Sequence, residues 1–183
     1  MIRYKEIYER VFDIPHYSRN QDRKITCSQV HNYLIGTEKS IIDIGSGRGP
    51  VLIELLNHFQ RSQILSCDLK KFHDIEVPFL KLDLTEFKDR EAILRVFPQF
   101  DFLTCFDVLE HIERQELHAI LRFFKELSKK HLIIVANHSD NWGQELHLIQ
   151  EPMDWWEESF GEYFKILDKK SIHNDRAYVF HLE

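Results

Sequence analysis

The sequence predicts an α/β fold: a mostly parallel, seven-stranded sheet with helices on both faces and an antiparallel pair of strands at the C-terminus. Three features of the chain predict it. Short apolar runs typical of buried strands alternate with segments whose apolar residues recur at helical spacing. Three of the six glycines lie between residues 45 and 49, directly after the first of these runs. The last two predicted strands are separated only by a short polar segment without a helix, which is typical of an antiparallel hairpin.

The first 39 residues differ from the rest of the chain because they contain no clear strand. Apolar residues Ile2, Ile7 and Val11 indicate a helix near the start. We therefore assign residues 1–39 to a helical cap on the edge or mouth of the sheet, and residues 40–183 to the main domain.

In the first part of the main domain, the sequence predicts three strands and two helices. The run SIIDI is short, apolar and followed by glycines, which is typical of a buried strand. Pro50 suits the first position of the helix that follows, and apolar residues continue at helical spacing as far as Phe59. The predicted elements are strand 40–44, helix 50–59, strands 63–68 and 77–82, and helix 91–97.

In the second part of the main domain, the sequence predicts the remaining four strands and two helices. The runs FDFLTCF and HLIIVA are apolar and short enough to be strands, and the segment between them carries a strong apolar stripe at helical spacing. The tandem tryptophans at 155 and 156 predict a helix packed on the sheet. The predicted elements are strand 100–106, helix 117–127, strand 131–136, helix 153–160, and strands 163–167 and 177–182.

Composition limits the environment and the partners of the chain. The 183 residues are 43% hydrophobic and 30% charged, which is ordinary for one globular domain. The net charge of −6 disfavours nucleic acid and anionic membrane surfaces as main partners. No apolar run is long enough to span a bilayer, the N-terminus lacks a signal segment, and Cys27, Cys67 and Cys105 form no CxxC pair. We therefore expect a reducing, cytoplasmic setting.

Residues that follow the predicted strands are candidates for the functional site, because ligands bind beyond the carboxyl ends of the strands in open parallel sheets. The candidates are Asp43 with the loop 45–49, Asp68, Asp83 and the segment 106–112. The loop joins a strand to a helix N-terminus, whose free N–H groups favour an anion, and its glycines let a ligand approach the backbone.

The spacing of the glycines excludes two common nucleotide-binding motifs. The dinucleotide fingerprint GxGxxG would need glycine where Pro50 stands, which disfavours a nicotinamide dehydrogenase. A phosphate-binding P-loop would need a lysine that this loop lacks. The pattern is instead an aspartate at 43 followed by glycines at 45, 47 and 49.

From about residue 40 to residue 182, the chain resembles the small-molecule branch of the class I S-adenosylmethionine-dependent methyltransferases. Four pieces carry the resemblance in order: DIGSGRG at 43–49, an acidic residue at 68, LDL at 82–84 and VLEH at 108–111. The resemblance implies a Rossmann-like fold and S-adenosylmethionine as the cofactor. The cofactor-binding residues that it implies are Asp43, Gly45, Ser46, Gly47, Gly49, Asp68, Leu69, Asp83, Leu84 and Phe106.

The chemistry of these residues agrees with that cofactor. A carboxylate accepts two hydrogen bonds in a fork, so Asp68 suits the vicinal diol of the ribose. Backbone N–H groups of the loop suit the carboxylate of the cofactor, and Leu69 and Leu84 suit the faces of the adenine. An acidic mouth suits a cationic cofactor.

We expect the methyl acceptor to be a small molecule that is methylated at oxygen, such as a metabolite or a glycan-building intermediate, because no extra domain for a macromolecular substrate is evident. A hydroxyl acceptor gains from a general base, and histidine is suited to this task near neutral pH. His111 is the first candidate for the base, with Asp107 as its orienter or as part of the cofactor pocket. His138 and His147 are further candidates.

Two alternatives remain open. The spacing of Asp107, Glu110 and His111, followed by His138 or His147, is similar to the E-x-x-E-H…H metal site of small-RNA 2′-O-methyltransferases, with Asp in place of the first Glu. Such ligands suit Mg²⁺ or Mn²⁺. The absence of a basic surface disfavours RNA, and the main prediction therefore assigns no metal. The second alternative is a noncatalytic module that retains the fold and binds the cofactor.

Overall fold

The computed structural model of the chain describes residues 28–34, 36–139 and 145–183. Seven strands form a single sheet in this part of the chain, in the order β3-β2-β1-β4-β5-β7-β6. The strands are β1 Ile41–Ile44, β2 Ile64–Asp68, β3 Phe79–Lys81, β4 Phe100–Phe106, β5 Ser128–Ala136, β6 Ile166–Ile172 and β7 Ala177–Leu182. Strands β1 to β5 are parallel, and β7 is antiparallel to both β5 and β6. The predicted fold class is confirmed.

Five helices connect or flank these strands in the described ranges. They are α1 Val30–Tyr33, α2 Pro50–Leu55, α3 Phe87–Val96, α4 Arg114–Leu127 and α5 Met153–Gly161, with short 3-10 turns at Arg61–Gln63 and Leu109–His111. None of the described helices is both long and apolar enough to cross a membrane.

The sheet has two buried faces because successive side chains of a strand point to opposite sides. Ile41 of β1 and Phe102 of β4 belong to the apolar cluster under α2, whereas their neighbours Ile42 and Leu103 belong to the cluster under α3, α4 and α5. All four side chains are fully buried. This arrangement explains why the parallel strands are continuous apolar runs rather than alternating ones.

The apolar stripe of α4 and the tryptophan helix both pack on the sheet, as predicted, and the structure places them on the same face. The buried stripe consists of Leu117, Ile120, Leu121, Phe124 and Leu127. Trp156 of α5 is fully buried and stacks on Phe160, with ring centroids 5.6 Å apart, and Phe160 contacts Phe180 of β7. The tandem tryptophans therefore include a core residue of the fold.

The predicted strand at 163–167 was placed too early in the chain. The structure has β6 at Ile166–Ile172, and the turn that follows contains three residues with positive φ, His173, Asn174 and Asp175. The polar residues of the segment DKKS indicated a loop. However, β6 is an edge strand that pairs only with β7, and one face of such a strand can be exposed to water. The hairpin itself was predicted correctly.

Other element boundaries differ by a few residues. β3 is shorter than predicted, whereas β5 begins earlier, at Ser128. Helix α3 begins a turn earlier than predicted, at Phe87. Helix α2 ends at Leu55, but a turn continues the chain to the buried Phe59, whose N–H donates to the carbonyl of Leu55 at 3.0 Å.

Most of the predicted cap, residues 1–27, lies outside the described residues. Helix α1, within the remainder of the cap, packs against α2, and Val30 is fully buried there. The hydroxyl of Tyr33 donates a hydrogen bond to Asp168 of β6 at 2.8 Å. The cap assignment as a whole remains a prediction.

Candidate functional site

The glycine loop after β1 has a backbone conformation that requires glycine. Gly45, Gly47 and Gly49 have φ angles of +75°, +50° and +81°. Residues with a Cβ atom adopt such angles only with strain. A Cβ atom at Gly45 would also lie 2.2 Å from Cγ2 of Val108. The N–H groups of Gly45 and Ser46 donate to the carbonyl of Cys67 at 2.9 and 3.1 Å, which fastens the loop to β2.

Asp68, at the end of β2, reaches into the same loop. Its Oδ2 accepts the N–H of Gly47 and its Oδ1 accepts the N–H of Leu69, both at 2.7 Å. A carboxylate has about four lone-pair positions, so these two bonds leave acceptor capacity for a ligand hydroxyl. Burial raises the pKa of Asp68 to about 6, although the two backbone N–H donors act in the opposite direction.

Asp43 is the most deeply buried acidic group beneath the loop. Its Oδ1 accepts the hydroxyl of Thr104 at 2.6 Å, and its Oδ2 is buried and has no hydrogen-bond partner among the described residues. Burial raises the pKa of Asp43 to about 7; the bond from Thr104 lowers it, and the charge of Asp68 raises it further. A buried carboxyl oxygen with no donor favours a cationic or N–H-bearing ligand nearby.

The other predicted cofactor residues lie at or just beyond the ends of β2, β3 and β4. Asp83 lies just beyond β3, and its Oδ1 accepts both the N–H and the hydroxyl of Thr85, at 3.1 and 2.7 Å. Leu84 and Phe106 are buried in the two apolar clusters, whereas Leu69 is half-buried at the end of β2. Because β1 to β4 are parallel neighbours, the structure brings all of these positions to one edge of the sheet.

Asp107 is the first residue after β4, and it has a φ of +54°. For a residue with a Cβ this conformation costs on the order of 1 kcal/mol. Its N–H donates to the carbonyl of Ile134 on β5 at 3.0 Å, which holds the strained turn in place. A strained residue directly after a central strand is typical of a functional turn.

Glu110 and His111 lie in the 3-10 turn after β4, and the structure brings His147 to them. One potential ligand atom from each of the three side chains lies within 4.8 Å of the others. The rings of His111 and His147 are 4.6 Å apart in an edge-to-face arrangement. Neither Asp107 nor His138 joins this set, so of the two histidines that the sequence left open, the structure selects His147.

Two residues near the site were missed by the sequence analysis. Thr104 lies opposite Asp43 in the register of β4 and β1; a polar residue inside the otherwise apolar run FDFLTCF is the signal that could have identified it. His73 hydrogen-bonds Ser66 at 3.0 Å, and Ser66 donates to Ser46 in the glycine loop at 2.9 Å. No sequence pattern marks His73, because it lies in an irregular segment between β2 and β3.

A family model described as a methyltransferase domain matches residues 17–175 of the chain. The match covers most of the sequence, and the chain therefore belongs to this family. It is a class I S-adenosylmethionine-dependent methyltransferase, as the glycine loop, the strand-end aspartates and the sheet order together indicate.

Solved structures with the same fold are similar to this chain at low sequence identity. The 1,6-didemethyltoxoflavin-N1-methyltransferase of Burkholderia thailandensis has a TM-score of 0.74 and 15% identity, over 98% of this chain and 85% of that one. The magnesium protoporphyrin IX methyltransferase of Synechocystis PCC 6803 has a TM-score of 0.68 and 15% identity, over 100% and 97%. The methyltransferase domain of the bacterial protein CtHen1-CN has a TM-score of 0.61 and 18% identity, over 89% and 98%. A search of curated proteins found no match.

S-adenosylmethionine is the cofactor of this enzyme class, and the residues at the site fit it. The buried oxygen of Asp43 that lacks a donor favours a ligand that brings an N–H group or positive charge. The remaining lone pairs of Asp68 suit a diol. The carboxylates at this edge of the sheet therefore suit a nucleoside that carries a sulfonium charge.

Proposed function

We propose that this protein transfers the methyl group of S-adenosylmethionine to an oxygen atom of a small molecule, such as a metabolite or a glycan-building intermediate. The observation that supports the proposal best is the juxtaposition, at one edge of the sheet, of the glycine loop held by Asp68 and the imidazole of His111. The first group suits the cofactor, and the second suits an acceptor hydroxyl.

On the cofactor side, the chain supplies acidic side chains that are buried or partly buried. Asp68 would accept hydroxyls of the ribose, and Asp43 would lie beneath the loop. The cofactor would approach the backbone of Gly45, Ser46, Gly47 and Gly49, but the N–H groups of these residues already donate to protein oxygens and are not the donors to the cofactor carboxylate that the sequence led us to expect. Asp83, Leu69, Leu84 and Phe106 would complete the adenine side. When bound, the cofactor supplies an electrophilic methyl group; positioning of the two reactants can then account for roughly 7–11 kcal/mol of the barrier in favourable cases.

On the acceptor side, a backbone carbonyl fixes the tautomer of His111. Nδ1 of His111 donates to the carbonyl of Leu146 at 3.0 Å, and this bond places the lone pair on Nε2. That nitrogen would either take the proton of the acceptor hydroxyl or hold a cation that makes the hydroxyl more acidic. Asp107, in the strained turn before it, would help to orient the acceptor or the cofactor.

A small acceptor is favoured by the charge of the chain and by the character of similar structures. The net charge of −6 disfavours binding of a polyanion. The similar structures include one with bound 1,6-didemethyltoxoflavin and one named as a magnesium protoporphyrin IX methyltransferase. The first of these is named for methylation at nitrogen, so a nitrogen acceptor is the closest competing outcome.

The test has two steps on the purified protein. Calorimetry with S-adenosylhomocysteine measures cofactor binding, and a labelled-methyl assay against a panel of hydroxyl, amine and carboxyl acceptors measures transfer. We expect binding and O-methylated product. Binding without transfer to any acceptor would support the noncatalytic module, N-methylated product alone would refute transfer to oxygen, and failure to bind would overturn the proposal.

A second candidate, an RNA 2′-O-methyltransferase, is favoured by one observation, namely that Glu110, His111 and His147 meet as its metal site would require. The acidic charge of the chain speaks against it. Retention of short single-stranded RNA in a gel-shift assay at physiological salt, with methyl transfer to its terminal ribose, would favour this candidate over a small acceptor.

A further inference from the structure

We propose that Glu110, His111 and His147 form a binding site for one divalent transition-metal ion, of which Mn²⁺ is the probe that we would use. The site lies at the carboxyl edge of the sheet, beyond β4 and β5. It goes beyond the proposed methyl transfer, which needs no metal in its simplest form.

The three side chains lie near one another. One ligand atom from each lies within 4.8 Å of the others. Two ligand atoms about 2.1 Å from one ion, at a tetrahedral angle, are about 3.4 Å apart. An ion would therefore draw these ligand atoms together by up to about 1.4 Å.

The two imidazoles are held in the tautomer that a metal needs. Nδ1 of His111 contacts the carbonyl of Leu146 at 3.0 Å, and Nδ1 of His147 contacts the carbonyl of His138 at 2.5 Å. A carbonyl oxygen accepts only, so each Nδ1 carries the proton and each Nε2 keeps its lone pair. A histidine that ligates a metal through one nitrogen commonly donates to a carbonyl or carboxylate through the other.

The carboxylate is held in place by the same segments that carry the histidines. Glu110 is fully buried, and its Oε1 accepts the N–H of Ala136 at 2.7 Å. Its backbone carbonyl accepts the N–H groups of Leu148 and Ile149 at 2.7 and 3.0 Å. These bonds tie the segment after β5 to the turn after β4, so His147 and Glu110 stay together before any ion binds.

The ligand set determines the type of ion. Two imidazoles and one carboxylate suit Mn²⁺, Fe²⁺, Co²⁺ or Zn²⁺ better than Mg²⁺ or Ca²⁺, which prefer oxygen ligands. Three protein ligands leave at least one coordination position open. Resting on the proposed function, we infer that an oxygen of the methyl acceptor takes that position and that its hydroxyl becomes more acidic there.

The test is direct binding of Mn²⁺ to the full chain after treatment with a chelator, measured by calorimetry and by electron paramagnetic resonance without cofactor or acceptor. We expect one ion per chain. His147→Gln and Glu110→Gln should each weaken binding at least about tenfold, because each removes one ligand. Glu110→Gln retains an oxygen that can accept the N–H of Ala136, which makes it a mild change for folding.

His138→Gln is the matched control. His138 lies beside His147, with ring centroids 5.0 Å apart, but its side chain is outside the set. Its variant should bind Mn²⁺ as the wild type does. The proposal is overturned if the wild-type chain binds no stoichiometric Mn²⁺ or Zn²⁺, or if His147→Gln and His138→Gln bind equally well.

Binding of S-adenosylhomocysteine to the metal-free protein separates this inference from the proposed function. Cofactor binding without metal binding would leave the methyltransferase proposal standing and refute the metal site. Metal binding without cofactor binding would support the metal site and refute the methyltransferase proposal. The same measurement shows whether a variant that loses the metal is still folded.

Discussion

Asp68 has two tasks in this structure, and they can be separated by mutation. It fastens the loop through the N–H of Gly47, and it keeps lone pairs for a ligand. We expect Asp68→Ala to weaken the binding of S-adenosylhomocysteine at least tenfold, or about 1.4 kcal/mol, in calorimetry. Thermal unfolding of the unliganded variant measures only the contribution of Asp68 to the stability of the loop. Affinity equal to that of the wild type would refute the assignment of Asp68 to the ribose.

The pair formed by Asp43 and Thr104 predicts a specific dependence of stability on pH. The pKa of Asp43 is about 7 in the folded protein, whereas the ordinary value for an aspartate is 3.8. Between these values the unfolded chain releases a proton that the folded chain keeps, so this group lowers the free energy of unfolding as pH rises from about 4 to about 7. Its contribution is most favourable below about pH 4.

Thr104→Val should make that dependence steeper. The variant removes the hydroxyl that donates to Oδ1 of Asp43, so the charged form loses a stabilising bond and the pKa rises further. We expect a loss of about 1–3 kcal/mol in the free energy of unfolding at about pH 8 and a smaller loss at about pH 5, measured by urea denaturation. An equal loss at both values would show that the hydroxyl acts through packing and not through the charge.

His111 is expected to act on the acceptor and not on the cofactor. His111→Ala should lower turnover while the affinity for S-adenosylhomocysteine changes little, since the imidazole follows β4 and the glycine loop proposed to bind the cofactor follows β1. Single-turnover kinetics beside calorimetry would check this. Full activity of the variant would dismiss the imidazole both as a base and as a metal ligand needed for transfer.

At the scale of an element, the glycine loop and the turn after β4 are packed against each other. Gly45→Ala places a methyl group 2.2 Å from Cγ2 of Val108 at a φ of +75°. We expect this variant to lose stability through both the collision and the backbone strain, with the strain alone costing about 1 kcal/mol. The free energy of unfolding measures the sum.

The double variant Gly45→Ala with Val108→Ala separates these two contributions. Val108→Ala removes the atom at 2.2 Å and leaves Cβ of Val108 at 3.5 Å, an ordinary contact. The second substitution should therefore recover most of the loss beyond the strain, when compared with Val108→Ala alone. Strictly additive effects would mean that the loop and the turn do not contact each other in solution.

At the scale of the whole molecule, the chain is acidic, and two of its acidic groups lie where the cofactor is proposed to bind. Asp43 and Asp68 have pKa values raised to about 7 and about 6, and the chain carries a net charge of −6. A ligand with positive charge favours the ionised carboxylates, so its affinity must fall as they become protonated.

This linkage predicts a difference between two ligands. S-adenosylmethionine carries a sulfonium charge that S-adenosylhomocysteine lacks. Its affinity should therefore fall more steeply than that of S-adenosylhomocysteine as the pH drops from about 7.5 to about 5.5, in parallel calorimetric titrations. Asp68→Asn should reduce the difference. Identical pH profiles for the two ligands would show that the carboxylates do not sense the sulfonium.

The sequence alone determined the class of fold and the position of the glycine loop, because both depend on local information. Strand and helix periodicity, the glycines at 45, 47 and 49, and an aspartate at the end of β2 are properties of short segments, and the structure confirms the elements that they predicted. The bounds of the edge strand β6 were not predicted, because its polar side chains are typical of a loop. Only its pairing with β7 makes this segment a strand.

Only the tertiary structure decided which distant residues meet. The register of β1 and β4 places Thr104 beside Asp43. The backbone bonds between Glu110 and residues 148 and 149 bring His147, rather than His138, to the turn after β4. Such contacts join segments far apart in the chain, and their geometry depends on strand register and loop path, which no local pattern of residues encodes.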